Sequence, residues 1–338
     1  MGRKVNSFDV AKHAGVSQAT VSYVLNGRYD LRIRQETRDK VLEAARDLGY
    51  QPNLSARSLA LGSTRTIALW VPFSYYSVFN HVIEQVMRLA RDSQFHVVIA
   101  QWTSESEESL LGLGNYSGAN VDAVIALDAR ELVERILDSA PGAPPIISIG
   151  PAYSLRTDHV GVDLPCGSRL AVHHLLEIGC DRIAIAGHRD HMHVGDPRFR
   201  AYVEAMQAHG RPIEPIPCAN DDSEHAHEAV KEYFQAGGRP DGIFCWNDSA
   251  AIGANRALAD LGIRVPDEVA IIGSDGIRDA QFCVPALSTV AQPFQEMCEL
   301  AWQYLQDRLT DPARPVQGTL LPMTLVARAS TARLVAAR

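Results

Sequence analysis

Apolar residues recur at helical spacing through the first fifty positions of the chain. This period predicts three short helices, over 8–14, 18–25 and 35–48, the first opened by Ser7 and closed by Gly15. Gly15 supplies the positive φ that a tight turn needs. Two short helices joined by a turn of about three residues form a helix-turn-helix, and the third helix completes a small all-α head. The apolar stripe of the third helix is predicted on Val41, Leu42, Ala45 and Leu48.

The second helix of a helix-turn-helix lies in the major groove of DNA, with its first side chains facing the base edges. Gln18 can pair with adenine, Ala19 can touch a thymine methyl group, and Tyr23 lies one turn further along, so these three are the candidate base contacts. The alternative is an ordinary helical hairpin whose polar face meets only solvent. The candidate phosphate contacts are Ser17, Thr20, Asn26, Tyr50 and Asn53.

Residues 51–64 form a short connecting segment, the hinge. Pro52 breaks the preceding helix, Asn53 can cap a new one, and LSARSLAL is a helical segment that Gly62-Ser63 closes. Such a helix is too short to be stable alone. The alternative is a linker whose leucines pack on the rest of the chain.

From residue 65 onward, apolar runs alternate with amphipathic helices. The predicted strands are the runs TIALWVP, FHVVIA, VDAVIAL, PIISIG, RIAIAG, DGIFCW and EVAIIGSD. The predicted helices cover 78–91, a stretch near 104–113, 129–138, 166–178, 198–208, 224–234 and 249–261. Regular alternation implies parallel sheets covered on both faces. The predicted fold class is α/β, with two doubly wound lobes and a cleft at the carboxyl ends of their strands, where such folds bind ligands.

These patterns divide the chain into a head over 1–50, the hinge over 51–64 and a body over 65–338. The body chain is expected to cross between lobes near Asp163 and near Gln292-Pro293. The expected N-lobe holds about 65–162 and 293–322, and the expected C-lobe holds about 163–292 and 323–338.

Charge is distributed unevenly between these parts. The 338 residues carry a net charge of −8, yet residues 1–62 hold ten Lys/Arg against six Asp/Glu, and the remainder holds 22 against 34. A basic head on an acidic body suits a head that meets phosphate. The chain shows neither a run of 18 apolar residues nor a signal-peptide pattern, so a cytoplasmic protein without a membrane-spanning segment is expected. The six cysteines lie far apart, which argues against a zinc site or a disulfide framework.

Three segments near the start, FDVAKHAGVSQATVSYVLNG, QETRDKVLEAARDLGYQPN and ARSL, follow one another in the order and spacing of the lac/galactose repressor family of bacterial transcription regulators. The chain resembles that family in its body too, through VDL, RFRAYVEAM, WND, VPDEVAIIGSDG and PALSTVAQP. The resemblance spans essentially the whole chain and implies a body similar to periplasmic binding proteins. Arg34 departs from it, because the family usually caps the third helix with Ser or Thr.

The resemblance implies roles for individual residues. It implies a hinge that folds when two copies meet over the minor groove, each inserting an apolar wedge that matches Leu59. Ligand-binding positions of the family fall on Arg198, Asn247 and Asp275, whose donors and acceptors suit sugar hydroxyls. Phe79 is the candidate stacking wall of the same effector site. The alternatives are a helix-face salt bridge for Arg198, a turn for Asp275 and plain core for Phe79.

Two further features bear on the ligand. Asp221 stands where family members often have an aromatic residue, so the identity of the ligand cannot be transferred from them. The run HRDHMH over 188–193 permits a metal interpretation, since neutral imidazoles are common ligands, but no carboxylate partner is fixed by spacing. A polar loop at the rim of the cleft is the favoured interpretation, and neither a metal site nor a cofactor is predicted.

The predicted function is sequence-specific repression. The resemblance implies a homodimer that binds a palindromic operator in double-stranded DNA and is controlled by a small effector, a sugar or sugar derivative, in the cleft. Two alternatives stay open, a cytoplasmic small-solute receptor and an enzyme on the same two-lobed fold. The sequence contains no GxGxxG, P-loop or GxSxG motif that would support the enzyme alternative. The sequence leaves open the effector's identity, its sign of action and the operator bases.

Overall fold

The computed structural model describes residues 5–25, 33–50, 63–72, 78–102, 121–140 and 142–333. The chain separates into two compact units, Met1–Thr64 and Arg65–Arg338. The predicted helix near 104–113 and the predicted hinge helix lie outside the described residues.

The first unit is the helical head. Its helices are α1 (Ser7–Ala14), α2 (Gln18–Leu25) and α3 (Gln35–Asp47), so the predicted bounds are confirmed to within one residue. Their shared core is built around Val10, Val21 and Val41, one buried valine from each helix. Gly15 ends α1 with a φ of 66°, as the turn prediction required.

The cap of α1 differs from the prediction, because Asn6 and not Ser7 occupies the N-cap. Asn6 Oδ1 accepts from the backbone N–H of Phe8 and Asp9, and the Asp9 carboxylate accepts from the Asn6 N–H at 3.0 Å. This reciprocal pair is a capping box, which satisfies more backbone donors than a serine alone can. Ser7 is thereby left free to use its hydroxyl elsewhere.

Helix α3 also differs in detail from its predicted stripe. Leu42 is 44% exposed, whereas Ala44 is buried with Val41 and Ala45. The small core of the head accepts alanine at that position, and the leucine faces outward. Arg34 occupies the N-cap without a side-chain hydrogen bond, so α3 begins without the acceptor that Ser or Thr supplies at this position.

The second unit is an α/β body whose elements alternate. Its strands are β1 (Thr66–Pro72), β2 (His96–Trp102), β3 (Ala123–Leu127), β4 (Ile146–Ile149), β5 (Asp158–Val162), β6 (Ile183–His188), β7 (Glu214–Cys218), β8 (Gly242–Cys245), β9 (Ala270–Asp275), β10 (Ser288–Ala291), β11 (Gly318–Leu321) and β12 (Thr324–Val326). Its helices are α4 (Val78–Asp92), α5 (Arg130–Ser139), α6 (Leu164–Glu177), α7 (Pro197–Ala208), α8 (Ser223–Gln235), α9 (Asp248–Asp260) and α10 (Phe294–Thr310).

The strands form two six-stranded sheets. The first has the order β11-β5-β4-β3-β1-β2 and the second the order β12-β10-β9-β8-β6-β7. All pairings are parallel except that of β12 with β10. Every residue of β3, β4 and β8 is buried, as expected for parallel strands covered by helices on both faces. The predicted α/β fold class with two lobes is confirmed.

The chain passes between the two sheets three times. It leaves the first sheet after β5, returns through α10, which packs on α4, β4 and β5, and leaves again between β11 and β12. Residues at the carboxyl ends of β3 and β4 in the first sheet, and of β8 and β9 in the second, line one cavity, so the strand ends of both sheets face a common space. Among the described residues, no helix has the length and apolar character needed to span a bilayer.

Candidate functional site

A cavity of about 170 Å³ lies between the two lobes of the body, at the carboxyl ends of β3, β4, β8 and β9. Ligand cavities commonly measure roughly 300–1,000 Å³, so this one suits a molecule of about one ring. Its polar lining side chains are Asp128, Arg198, Asp221, Asn247, Asp275 and Gln292, and its larger apolar ones include Phe79, Trp246, Phe294 and Met297. The structure therefore brings all four predicted effector residues to one cavity.

Arg198 lies in the first turn of α7, where Asp196 caps the helix by accepting from the Arg198 N–H at 2.8 Å. Its guanidinium carbon lies 3.6 Å from the centroid of the Trp246 ring. Desolvation lowers the pKa of Arg198, while Asp196 and Asp275 oppose that shift. Because arginine stays protonated in proteins, the cleft presents a fixed cation on an aromatic face, with planar N–H donors available to a ligand.

Asp275 ends β9 with a φ of 106°, in the left-handed region that Asp and Asn tolerate better than most residues. Gln292 Nε2 donates to Asp275 Oδ1 at 2.8 Å, which aims the carboxyl into the cavity wall. Desolvation, followed by the nearby Asp248 charge, raises the pKa of Asp275 to about 8. Asp275 is thus a neutral carboxyl near pH 7, which can both donate and accept a hydrogen bond. Asp275 is a turn residue and a cavity residue at once.

Asn247 is the N-cap of α9. Its Oδ1 accepts from the Ala250 N–H at 2.7 Å, and its Nδ2 donates to the Asp221 carbonyl at 2.9 Å. An amide has two lone pairs and two N–H bonds, so one of each remains for a ligand. Phe79 lines the cavity and also packs against the main core of the body. Its position therefore fits both the wall of an effector site and a core residue.

Asp128 is a cavity residue that the sequence reasoning missed. It follows β3 directly, adopts a φ of 47°, and accepts from the Ala152 N–H at 3.2 Å. Desolvation raises its pKa to about 6. A β-carbon on Gly150 would lie 2.2 Å from Asp128 Oδ1, so only glycine fits beside this carboxyl. The signal was present in the sequence, because an Asp directly after a buried parallel strand lies at the ligand edge of the sheet.

The HRDHMH loop lies against the same wall. His191 pairs with Asp196 at 3.3 Å, and its ring lies 5.6 Å from that of Trp246 at an interplanar angle of 23°. The backbone N–H of His188 donates to Asp221 Oδ1 at 2.8 Å. Within the described ranges, no three His, Cys, Asp or Glu side chains are grouped as metal ligands. The loop contacts the cavity lining through Trp246 and Asp221.

The predicted base-contacting residues all lie on α2, with Gln18 and Ala19 at its start and Tyr23 one turn further along. Gln18, Ala19 and Ser17 are exposed, and Tyr23 is 41% exposed. Gln18 Nε2 donates to Ser7 Oγ at 3.0 Å, so the serine that does not cap α1 instead orients this amide.

The remaining predicted phosphate contacts have different environments. Ser17 Oγ accepts from the Thr20 N–H at 3.1 Å, which caps α2. Tyr50 packs partly buried against the head core. Three predicted residues, Asn26, Asn53 and Leu59, lie outside the described residues, so their roles stay predictions.

Two family descriptions match the chain. Residues 8–53 match "Bacterial regulatory proteins, lacI family", and residues 172–331 match "Periplasmic binding protein-like domain". Among similar proteins, the ribose operon repressor of Haemophilus influenzae is 28% identical over 325 residues, covering 95% of this chain and 97% of that protein. The transcriptional repressor PurR of Edwardsiella ictaluri is 30% identical over 331 residues, covering 96% of each.

Solved structures give the same architecture. The lac repressor dimer bound to operator and the anti-inducer ONPF superposes with a TM-score of 0.81 at 23% identity, covering 97% of this chain and 99% of that one. A complex of the transcriptional regulator CelR with cellobiose superposes with a TM-score of 0.68 at 27% identity, covering 97% of this chain and 100% of that one. The similarity therefore extends through head and body together.

Proposed function

The chain belongs to the lacI family of bacterial regulatory proteins, and from this membership we propose which surface reads DNA and which chemical class of effector the cleft binds. Relatives that match over the full length are repressors, so the chain is a DNA-binding transcriptional repressor controlled by a small effector, and not an enzyme. Bacterial DNA lies in the cytoplasm, which is the compartment that this function requires.

The head reads its operator through Gln18, Ala19 and Tyr23. Two observations support this: all three side chains are exposed on α2, and the hydrogen bond to Ser7 orients the Gln18 amide before the head meets DNA. A preoriented amide loses less side-chain entropy on pairing with adenine. Ser17, Thr20, Asn26, Tyr50 and Asn53 contact phosphates, and they position the head without reading sequence.

The protein binds DNA as a homodimer. A palindromic operator mirrors the dyad of a dimer, and a single head offers few base contacts. Leu59 of each hinge enters the minor groove as an apolar wedge between base steps. The similar lac repressor is described as a dimer on its operator, which supports the same assembly.

The effector is a carbohydrate of about one ring. The observation that carries this is the cavity of about 170 Å³, in which Arg198, Asn247, Asp275 and Asp128 surround a space walled by aromatic rings. Closely spaced hydroxyls are held by donors and acceptors in alternation, and a sugar face packs on an apolar wall. The name of the similar ribose operon repressor supports a monosaccharide. Nucleobases are the second class to test, because a planar ring also packs on the aromatic side chains of this cavity.

The test has two arms. Fluorescence anisotropy with duplexes from around the chain's own gene should show sequence-specific binding whose affinity falls linearly with the logarithm of salt concentration. Thermal-shift screening of monosaccharides and nucleobases against the full chain should then find a stabilising ligand, because binding to the native state alone raises its melting temperature. That ligand should change operator affinity.

Each outcome distinguishes among the hypotheses. A stabilising sugar without any operator binding at low salt favours a solute receptor, and turnover of that sugar favours an enzyme. If no sugar alters operator binding and a nucleobase stabilises the chain, the repressor assignment stands and the effector is a nucleobase instead of a carbohydrate.

A further inference from the structure

The side chain of Trp246 contacts two cations or potential cations from different elements. The Arg198 guanidinium on α7 lies 3.6 Å from its ring centroid, and the His191 imidazole from the loop after β6 stacks at 5.6 Å. Trp246 is 2% exposed and lines the cavity. The imidazole and the guanidinium therefore contact the same buried indole.

His191 is itself held by a carboxylate. Its Nδ1 lies 3.3 Å from Asp196 Oδ2, and Asp196 at the same time caps α7 through the Arg198 N–H. One carboxylate thus joins the loop imidazole to the helix that carries the ligand-facing arginine. The His191 side chain is 46% exposed, so protons reach it from solvent without opening the cleft.

We propose that His191 is a positioning residue of the effector cleft, whose protonation state sets the charge and packing of the Trp246–Arg198 wall and so makes that wall responsive to pH. When the His191 imidazole is neutral, Arg198 is the one positive charge among the cavity-lining side chains that the structure describes. A protonated one adds a second positive charge beside it and strengthens the pair with Asp196. This inference rests on the proposed function only in treating the cavity as a ligand site.

The electrostatic surroundings favour the protonated form of His191. The hydrogen bond to Asp196 raises the pKa of His191 above 6.5, against the opposing effects of desolvation and of Arg198. Burial alone would raise the pKa of Asp196, but His191 and Arg198 bring it below its ordinary value, so the carboxylate stays charged. The charged or titratable groups that face the imidazole are Asp196 and Arg198 from the start of α7, His188 from the end of β6, and Asp221 from the loop after β7; Asp190, next to His191 in the chain, pairs with His188.

The first measurement is the titration of His191 itself, in the full ligand-free chain. Histidine Cε1–H signals are followed by NMR from about pH 5 to about pH 8, and the His191 signal is the one missing from His191→Phe. We expect a midpoint above 6.5. In Asp196→Asn, which keeps a good N-cap but loses the charge, the midpoint should fall by about half a pH unit or more. His193→Gln, in the same loop, should leave it unchanged.

The second measurement reports on the wall. An imidazolium next to an indole quenches its fluorescence, so emission should fall on acidification with the midpoint found for His191. The change should be absent from His191→Phe, which keeps an aromatic ring without the charge, and from Trp246→Phe, and it should be present in His193→Gln.

A His191 midpoint at or below 6.5, or one that Asp196→Asn does not move, would overturn the proposal. So would a titrating His191 that leaves Trp246 emission constant. Both measurements use protein without DNA or effector, so a negative result here leaves the repressor assignment standing. Conversely, a chain that binds no operator can still show this coupling.

Discussion

Asp248 Oδ2 accepts a hydrogen bond of 2.8 Å from the backbone N–H of Gly276, and it accepts a second of the same length from Ile277. The buried carboxylate at the start of α9 therefore holds the turn that places Asp275 at the cavity. A β-carbon on Gly273 would lie 2.2 Å from Asp248 Oδ1, so only glycine fits at this position of β9.

Replacing Asp248 by Ala should lower the free energy of unfolding by about 1–3 kcal/mol, because the buried Ile277 N–H loses its acceptor and the Gly276 N–H keeps only Thr289 Oγ1, at 3.2 Å. Urea denaturation followed by far-UV circular dichroism measures the change. Asp267→Ala, on a side chain 68% exposed, is the control and should stay close to the natural chain. Equal midpoints for the two variants would show that the turn does not depend on this carboxylate.

The raised pKa of Asp275 predicts how the stability of the ligand-free protein depends on pH. With a pKa of about 8 folded and an ordinary value of 3.8, this carboxyl keeps a proton in the folded state that the unfolded chain releases. Between those values the folded state binds more protons, so this group's contribution to stability falls as pH rises. Asp275→Asn removes the titration while an amide oxygen still accepts from Gln292.

We therefore expect Asp275→Asn to melt at a higher temperature than the natural chain at pH 8, with a smaller difference at pH 5. Differential scanning calorimetry at the two pH values checks this, with the exposed Asp279→Asn as the control. A difference that grows towards acid pH would contradict the assigned direction of the shift.

Sequence periodicity predicted most of the fold because the body is built from buried parallel strands, which read as continuous apolar runs. The runs that became β1, β3 and β8 needed no tertiary information. Strand β7 was missed because Pro215 and Pro217 argue against a strand. It lies at the edge of its sheet, where proline is tolerated, and only the fold determines which strand is an edge.

Helix α10 was missed for a different reason. Pro293 occupies its N-cap without a side-chain hydrogen bond, so the sequence lacks the usual start signal of a helix.

The cavity residues also divide into those that the sequence predicted and those that only the fold brings together. Arg198, Asn247 and Asp275 came from motif resemblance, whereas Asp128 and Trp246 enter the site because two sheets point their strand ends at one space. Short-range patterns carry no information about which strand ends converge.

The Gln18–Ser7 hydrogen bond predicts a graded effect on operator reading. Gln18→Ala should cost about 1–3 kcal/mol at the base pair that Gln18 contacts and relax the preference there. Ser7→Ala should cost less, because it frees the amide without removing it. Gln35→Ala is the matched control, since this glutamine opens α3 and bonds only Asp39 in the described head. Anisotropy titrations on operator variants measure all three, and equal losses for Gln18 and Gln35 would exclude α2 as the reading helix.

Because Arg198 lines the cavity in the body, a substitution there should change effector affinity and leave operator affinity unchanged. Arg198→Lys keeps the charge but loses the planar fork and its stacking on Trp246, so effector affinity should fall on the order of tenfold or more. Operator affinity without effector should be unchanged. Isothermal titration with the stabilising ligand and anisotropy with operator check the two halves. Arg200→Lys, an exposed position on the same helix, should match the natural chain in both.

An ion pair far from the cleft sets the last prediction. Asp158 is 2% exposed and receives two hydrogen bonds from Arg308, at 2.9 and 2.8 Å, and one from the Gln317 backbone. Asp158→Asn leaves the guanidinium partly buried without its counter-charge, which should destabilise the body by about 3–5 kcal/mol in urea titrations. Glu268→Gln, which breaks the exposed pair with Arg264, should cost less than about 1 kcal/mol. Because Asp158 joins β5 to the segment that leads into β11, its loss should loosen that edge of the first sheet before the cleft, and hydrogen exchange should show β11 opening first.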